Sequence, residues 1–140
     1  MHNRPDIVHS VIILPRLPDG SVLLQLRDNQ PGIVYPGTIG LFGGSVEAGE
    51  TAAAAACRET TEELSLSLRP KEFKFLFDIT LIIEEGLPIK RSVFGVNVED
   101  VKNLTLREGQ AIVVLKPKEA LPANVNPPAI RILTEYRSLG

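Results

Sequence analysis

A single cysteine, Cys57, in 140 residues excludes an internal disulfide framework. Histidine is almost as scarce: His2 and His9 both lie near the N-terminus. Cys57 therefore lacks an obvious base, and a thiol nucleophile is not expected. There is no excess of positive charge. The formal net charge of −2 argues against nonspecific binding of a nucleic-acid polymer, which calls for a basic surplus. The apolar stretch Val11-Ile12-Ile13-Leu14 is far too short to span a membrane, and no signal-peptide pattern is visible. The protein is accordingly expected to be cytoplasmic. Internal repeats and linkers are missing too, and the only low-complexity tract is a short run of alanines. What is left reads as one domain over residues 1–140, with 44% apolar residues to build its core.

The chain is organised around Gly43 to Leu66, which places Gly44, Glu50, Arg58, Glu59, Glu62 and Glu63 at spacings G-x5-E-x7-R-E-x-x-E-E. Thr51 is a good N-cap, and the run Ala52 to Ala56 has the highest intrinsic helix propensity available. On that helix Glu59, Glu62 and Glu63 stand at i, i+3 and i+4, so their carboxylates share one face. Cys57, Thr61 and Leu64 fall on the opposite face, where packing onto a core is expected. Such glutamates are often only a solvated stripe. Crowded together, however, they repel one another unless a cation sits among them, and hard oxygen donors suit Mg2+ or Mn2+.

On either side the pattern is mostly strand. Ile7 to Leu14 and Val22 to Arg27, joined by Pro18-Asp19-Gly20, predict an opening hairpin. Asp28 to Gly40 is a loop rich in proline and glycine, a candidate wall of a pocket, and Leu41-Phe42 leads as a short strand into Gly43-Gly44. Phe73 to Ile83 and Ile89 to Val98 predict two paired strands with a turn at Glu84-Glu85-Gly86. Ala111 to Leu115 predicts another strand, Lys118 to Leu121 a helical turn, and Ala129 to Leu139 a final helix facing inward through Ile130, Leu133 and Tyr136 or Arg137. The class that follows is α+β, an α/β/α sandwich with a mixed sheet between helices.

The residues from Gly44 to Leu66 closely resemble the signature of the Nudix hydrolases, G-x5-E-x7-R-E-U-x-E-E-x-G-U, in which U is bulky and aliphatic. Thr60 stands in place of the first U and Ser65 in place of the second glycine; neither change removes a ligand. Two further stretches are similar to the MutT-type pyrophosphohydrolases of that family: Glu108-Gly109-Gln110, whose glutamate the resemblance brings to the metal centre, and Pro122-Ala123-Asn124, whose asparagine it assigns to reading a purine edge. The resemblance implies Mg2+ (or Mn2+) held by Gly43, Glu59, Glu62 and Glu63. It also implies a general base at Glu62 or Glu108 and a salt bridge from Arg58 to Glu50 that orients the acids. Arg27 and Tyr35 join Asn124 as substrate-binding candidates.

The implied reaction is metal-dependent hydrolysis of the diphosphate in a nucleoside diphosphate linked to another group. A MutT-like nucleoside triphosphate pyrophosphohydrolase acting on oxidised guanine nucleotides leads. An ADP-ribose or other nucleotide-sugar pyrophosphatase is the rival, and a non-catalytic nucleotide-binding regulatory module is the alternative of another class. The expected partner is a small nucleotide, with neither a nucleic-acid polymer nor a membrane involved, and the expected state is a monomer or homodimer.

Overall fold

A computed structural model describes residues 8–82 and 88–140. The predicted turn at Glu84-Glu85-Gly86 lies outside the described residues. Seven strands form one mixed sheet: β1 (Val8–Arg16), β2 (Val22–Leu26), β3 (Ile39–Gly40), β4 (Phe42–Ser45), β5 (Phe73–Ile82), β6 (Pro88–Asn97) and β7 (Ala111–Leu115). Two helices cover its faces, α1 (Ala52–Leu64) and α2 (Pro127–Ser138). No described helix is long and apolar enough to cross a membrane.

The burial of β1 explains the topology. Val11, Ile12, Ile13 and Leu14 are all buried, whichever face of the sheet they point to. A strand apolar on both sides belongs in the middle of a sheet. Ile12 and Leu14 join a core with Ala129, Ile132 and Leu133 of α2. Val11 and Ile13 join the other core, with Phe42, Phe94 and Ala55, Ala56 and Leu64 of α1. The result is helix, sheet, helix, as the sequence predicts. The expected opening hairpin is reduced, however: β1 and β2 share only the pair Arg16↔Val22. Beyond it β1 runs parallel to β6 and antiparallel to β4, while β2 pairs with β7. Burial of both faces of β1 outweighs the local turn.

Three local expectations are corrected. Thr61 is exposed and Cys57 only half-buried, whereas Thr60 is buried. The helix therefore packs through Ala55, Ala56, Thr60 and Leu64, with Glu59 and Glu63 at the edge of the buried face. Thr60 tolerates this because its hydroxyl donates to the Ala56 carbonyl one turn back, at 2.7 Å. In α2, Ile132 and not Ile130 faces the core; Ile130 is 42% exposed. Asn126 caps that helix by accepting from Ala129 N–H at 3.0 Å, so it begins at Pro127 and its inward stripe is Ala129, Ile132 and Leu133. Residues 118–121 form no helical turn. A tight turn closes instead, from Glu119 N–H to the Lys116 carbonyl, with Lys118 in the left-handed backbone region at φ 64°.

Candidate active site

The expected N-cap of α1 is present. Thr51 Oγ1 accepts from Ala54 N–H at 3.1 Å. At the other end Ser65 adopts the left-handed conformation usual for glycine, φ 56°, at a cost of about 1 kcal/mol. Between these caps the helix aims its carboxylates at β4, which carries Gly43 and Gly44. Both glycines are required by close approach. A Cβ on Gly43 would run into the Val11 carbonyl, and one on Gly44 into the Glu59 carboxylate. The bare Gly44 lets the Glu59 carboxylate close on the backbone, and the bare Gly43 lets β4 lie tight against β1.

Glu63 is only 3% exposed, and its Oε2 accepts from Gly43 N–H at 3.0 Å. Burial, followed by the nearby charges of Glu59 and Glu108, pushes its carboxyl up to about 9. Glu59 is raised as well, chiefly by burial, against the opposing pull of Arg58. Glu108 thus belongs electrostatically to the same cluster. The loop that holds it is tied to β2 by two amides: Gln25 Nε2 donates to the Glu108 carbonyl at 3.0 Å, and Gln110 Nε2 to the Arg27 carbonyl at 2.7 Å. Glu62, by contrast, is half-exposed at the rim.

Arg58 gathers the surrounding loop. Its Nε and Nη2 donate to the two oxygens of Glu50 at 2.9 and 3.0 Å, and Nη2 also donates to the Ser45 carbonyl at 2.8 Å. Its Nη1 reaches Glu59 at 2.9 Å and Glu62 at 3.3 Å. This two-pronged hold brings the Glu50 carboxyl down to about 2 and raises the guanidinium further above its usual value. Arg58 touches acids and backbone and leaves no open donor face towards a substrate. It is a positioning residue.

Among the described residues, no three His, Cys, Asp or Glu side chains converge as a finished metal cage. The donor set nevertheless fits a hard divalent cation. Glu59 and Glu63 are buried together, and among the described residues Glu63 pairs with no cation. A proton on Glu63 stands in for the missing charge, and this gives a pH signature. A carboxyl that titrates at about 9 folded and 4.5 unfolded favours the fold below 4.5. That stability is lost as pH rises towards 9, because the unfolded chain releases the proton first. In chelator, the melting temperature should therefore fall between pH 5 and pH 9 (about the window of that shift). Saturating Mg2+ should flatten the fall, because the cation replaces the proton. Parallel melting curves with and without Mg2+ would refute this.

From the glycines a groove runs towards the start of α2. A cleft of about 180 Å³ is lined by Gly43, Gly44, Leu41, Arg27 and Arg91. Leu41 and both arginines also line an adjoining cavity of about 130 Å³, beside Tyr35 and Asn126. Arg27 further borders a recess with Glu108. Of the sequence candidates, the structure brings Gly43, Glu59, Glu62, Glu63, Glu108, Arg58 and Glu50 to one end, with Arg27 and Tyr35 along the groove. Asn124 is exposed and lies outside the cavity lining; its backbone carbonyl accepts from Ile39 N–H.

Two groove residues were missed. Arg91 follows Lys90 in β6, and a charge inside a strand is the signal it offers. It is largely buried, its Nε finds no acceptor among the described residues, and burial and then the Arg27 charge push its guanidinium down. Asn126, just ahead of Pro127-Pro128, carries an N-cap signal. Its Oδ1 caps α2 and its Nδ2 donates to Thr38 Oγ1 at 3.2 Å, which among the described residues leaves one N–H and one lone pair without a partner.

Residues 7–135 match the NUDIX domain family. No curated protein is a significant sequence match. The fold is similar to that of the MutT protein from Methanosarcina mazei Go1 (TM-score 0.78, 19% identity, 99% of this chain and 97% of that one). It is also similar to the MutT NUDIX hydrolase from Burkholderia pseudomallei (TM-score 0.73, 23% identity, 94% and 98%). A third likeness is to the dihydroneopterin triphosphate pyrophosphohydrolase of E. coli (TM-score 0.71, 20% identity, 94% and 96%).

Proposed function

The chain belongs to the NUDIX domain family, whose members act on nucleoside diphosphates linked to another moiety, and from that premise we propose that it is a MutT-like pyrophosphohydrolase of nucleoside triphosphates. The observation that carries this reading is the pair Arg27 and Arg91, shared by the cleft at Gly43-Gly44 and the cavity beside Tyr35 and Asn126. Two guanidinium groups that form no ion pair among the described residues, set between an acidic helix and a cavity beside Tyr35, suit a polyphosphate bridging the two.

In this reading Glu59, Glu62 and Glu63, with the Gly43 carbonyl, would hold Mg2+ or Mn2+. When bound, such an ion neutralises phosphate charge and brings the pKa of a coordinated water towards neutrality. The chain's own residues do the rest. Gly43 N–H fixes the Glu63 carboxylate, and Arg58 holds Glu50 and the Ser45 carbonyl so that the loop and helix keep their register. Arg27 and Arg91 take the phosphates and align the chain of the substrate. A carboxylate, Glu62 or Glu108, accepts the proton of the attacking water. Water adds to phosphorus, the anhydride P–O bond breaks, and a nucleoside monophosphate and pyrophosphate leave. Positioning and electrostatic stabilisation supply most of the acceleration. Tyr35 and Leu41 offer the base a face, and the free half of the Asn126 amide offers its edge a donor and an acceptor. Asn124, exposed, is the lesser candidate for that role. An oxidised guanine suits an amide that pairs both ways.

A panel of substrates with Mg2+ tests the reading. It would contain the common and 8-oxo-guanine nucleoside triphosphates, dihydroneopterin triphosphate and ADP-ribose, with products resolved chromatographically. The expected outcome is pyrophosphate release, fastest from a purine triphosphate. Preferential cleavage of ADP-ribose would replace the triphosphate reading with the nucleotide-sugar one.

A further inference from the structure

A second cavity, of about 470 Å³, lies at the far end of the sheet from the carboxylates. β1 contributes Ser10, Val11 and Ile12 to the cleft at Gly43 but Arg16 to this cavity. Likewise α2 gives Pro128 and Ala129 to the cavity beside Tyr35, and Tyr136 and Arg137 here. The volume is in the range of small-molecule sites. Its floor is apolar, built from Val22, Leu76, Leu115, Leu133 and Tyr136.

The side chains of the rim carry one sign of charge. Arg16, Lys74, Lys116, Lys118 and Arg137 line it, and no lining residue is acidic. Among the described residues, none of the five forms an ion pair. Arg16 is set into the wall: its Nε is buried and finds no acceptor among the described residues. Gly95 makes the space for it, since a Cβ there would stand 2.7 Å from Arg16 Cζ. The guanidinium therefore lies over the glycine, with its Nε out of water. Lys118 is held at the lip with its backbone in the left-handed region, an unfavourable conformation for a side chain of its kind. A half-buried arginine and four further cations around an apolar floor repel one another. They are complementary to a ligand that carries the opposite charge on an apolar body.

We propose that this cavity binds a small organic anion, a carboxylate, sulfonate or phosphate monoester on a ring or short alkyl body, at a site separate from the hydrolytic groove. The apolar body covers Leu115, Leu133 and Tyr136, and the anionic group takes the open donors of Arg16 and Lys74.

Fluorescence titration with 8-anilinonaphthalene-1-sulfonate, beside uncharged N-phenyl-1-naphthylamine of nearly the same shape, tests this. The sulfonate should bind at one saturable site, about tenfold or more tighter than the uncharged dye, the scale of a charge-assisted contact. Arg16→Gln with Lys74→Gln should weaken the sulfonate by about the same factor, leaving the melting temperature and nucleotide hydrolysis unchanged. Should that pair disturb folding, Lys116→Gln with Lys118→Gln, both on the exposed rim, should shift affinity in the same direction. Equal affinity for the two dyes, or binding indifferent to both variant pairs, would overturn the proposal. So would displacement of the dye by a hydrolysable nucleotide, which would place it in the other groove. Because hydrolysis is assayed separately, loss of this site and loss of the catalytic reading are distinguishable.

Discussion

Glu63→Gln should lower kcat by about three orders of magnitude and, in chelator at pH 8, raise the melting temperature by about 5 °C. The two effects have one origin. Glu63 is a buried acid pushed up to about 9, so near pH 8 folding has to take up a proton that the unfolded chain has already released. Glutamine keeps the shape, and its oxygen still accepts from Gly43 N–H. A neutral amide also escapes the repulsion of the Glu59 and Glu108 charges without taking up a proton. The fold gains by losing that titration, and the chemistry loses a donor that would hold the cation. Turnover with saturating Mg2+ and melting in EDTA read the two halves independently. Near-normal turnover would remove Glu63 from the metal site; a lower melting temperature would show that its carboxylate stabilises the fold.

A comparable split is expected at Arg91, in binding instead of turnover. Arg91→Met should raise KM for a nucleoside triphosphate by about 10- to 100-fold, the worth of a charge-assisted contact to phosphate, with a smaller change in kcat. Methionine keeps the volume and removes a buried cation that faces Arg27 and has no acceptor for its Nε among the described residues, so the melting temperature should not fall. Steady-state kinetics and a melting curve suffice. An unchanged KM would take Arg91 out of the phosphate path, and a large drop in melting temperature would make it a structural residue.

What the sequence made legible was local. Thr51, the alanine run and the i, i+3, i+4 acids specify α1 and its acidic face within a few turns of chain, and Gly43-Gly44 lie just upstream. What escaped depended on partners far along the chain. The neighbours of β1 are set by burial of both its faces, a property that periodicity in one strand does not reveal. Arg91 became a groove residue only through the placement of β6 beside β1 and the approach of Arg27. Asn126 lines the cavity because it caps α2 ahead of two prolines, a placement that the short Pro122-Ala123-Asn124 motif does not specify.

The parallel contact between β1 and β6 also dictates when this molecule can fold. Val8 faces Ile89 and Arg16 faces Asn97, partners about eighty residues apart, so the centre of the sheet forms only after a long loop has closed. The β5–β6 ladder is more local and can assemble earlier. β1 waits for it, and because both apolar layers meet on that one strand, neither helix has a finished surface to settle on until β1 arrives.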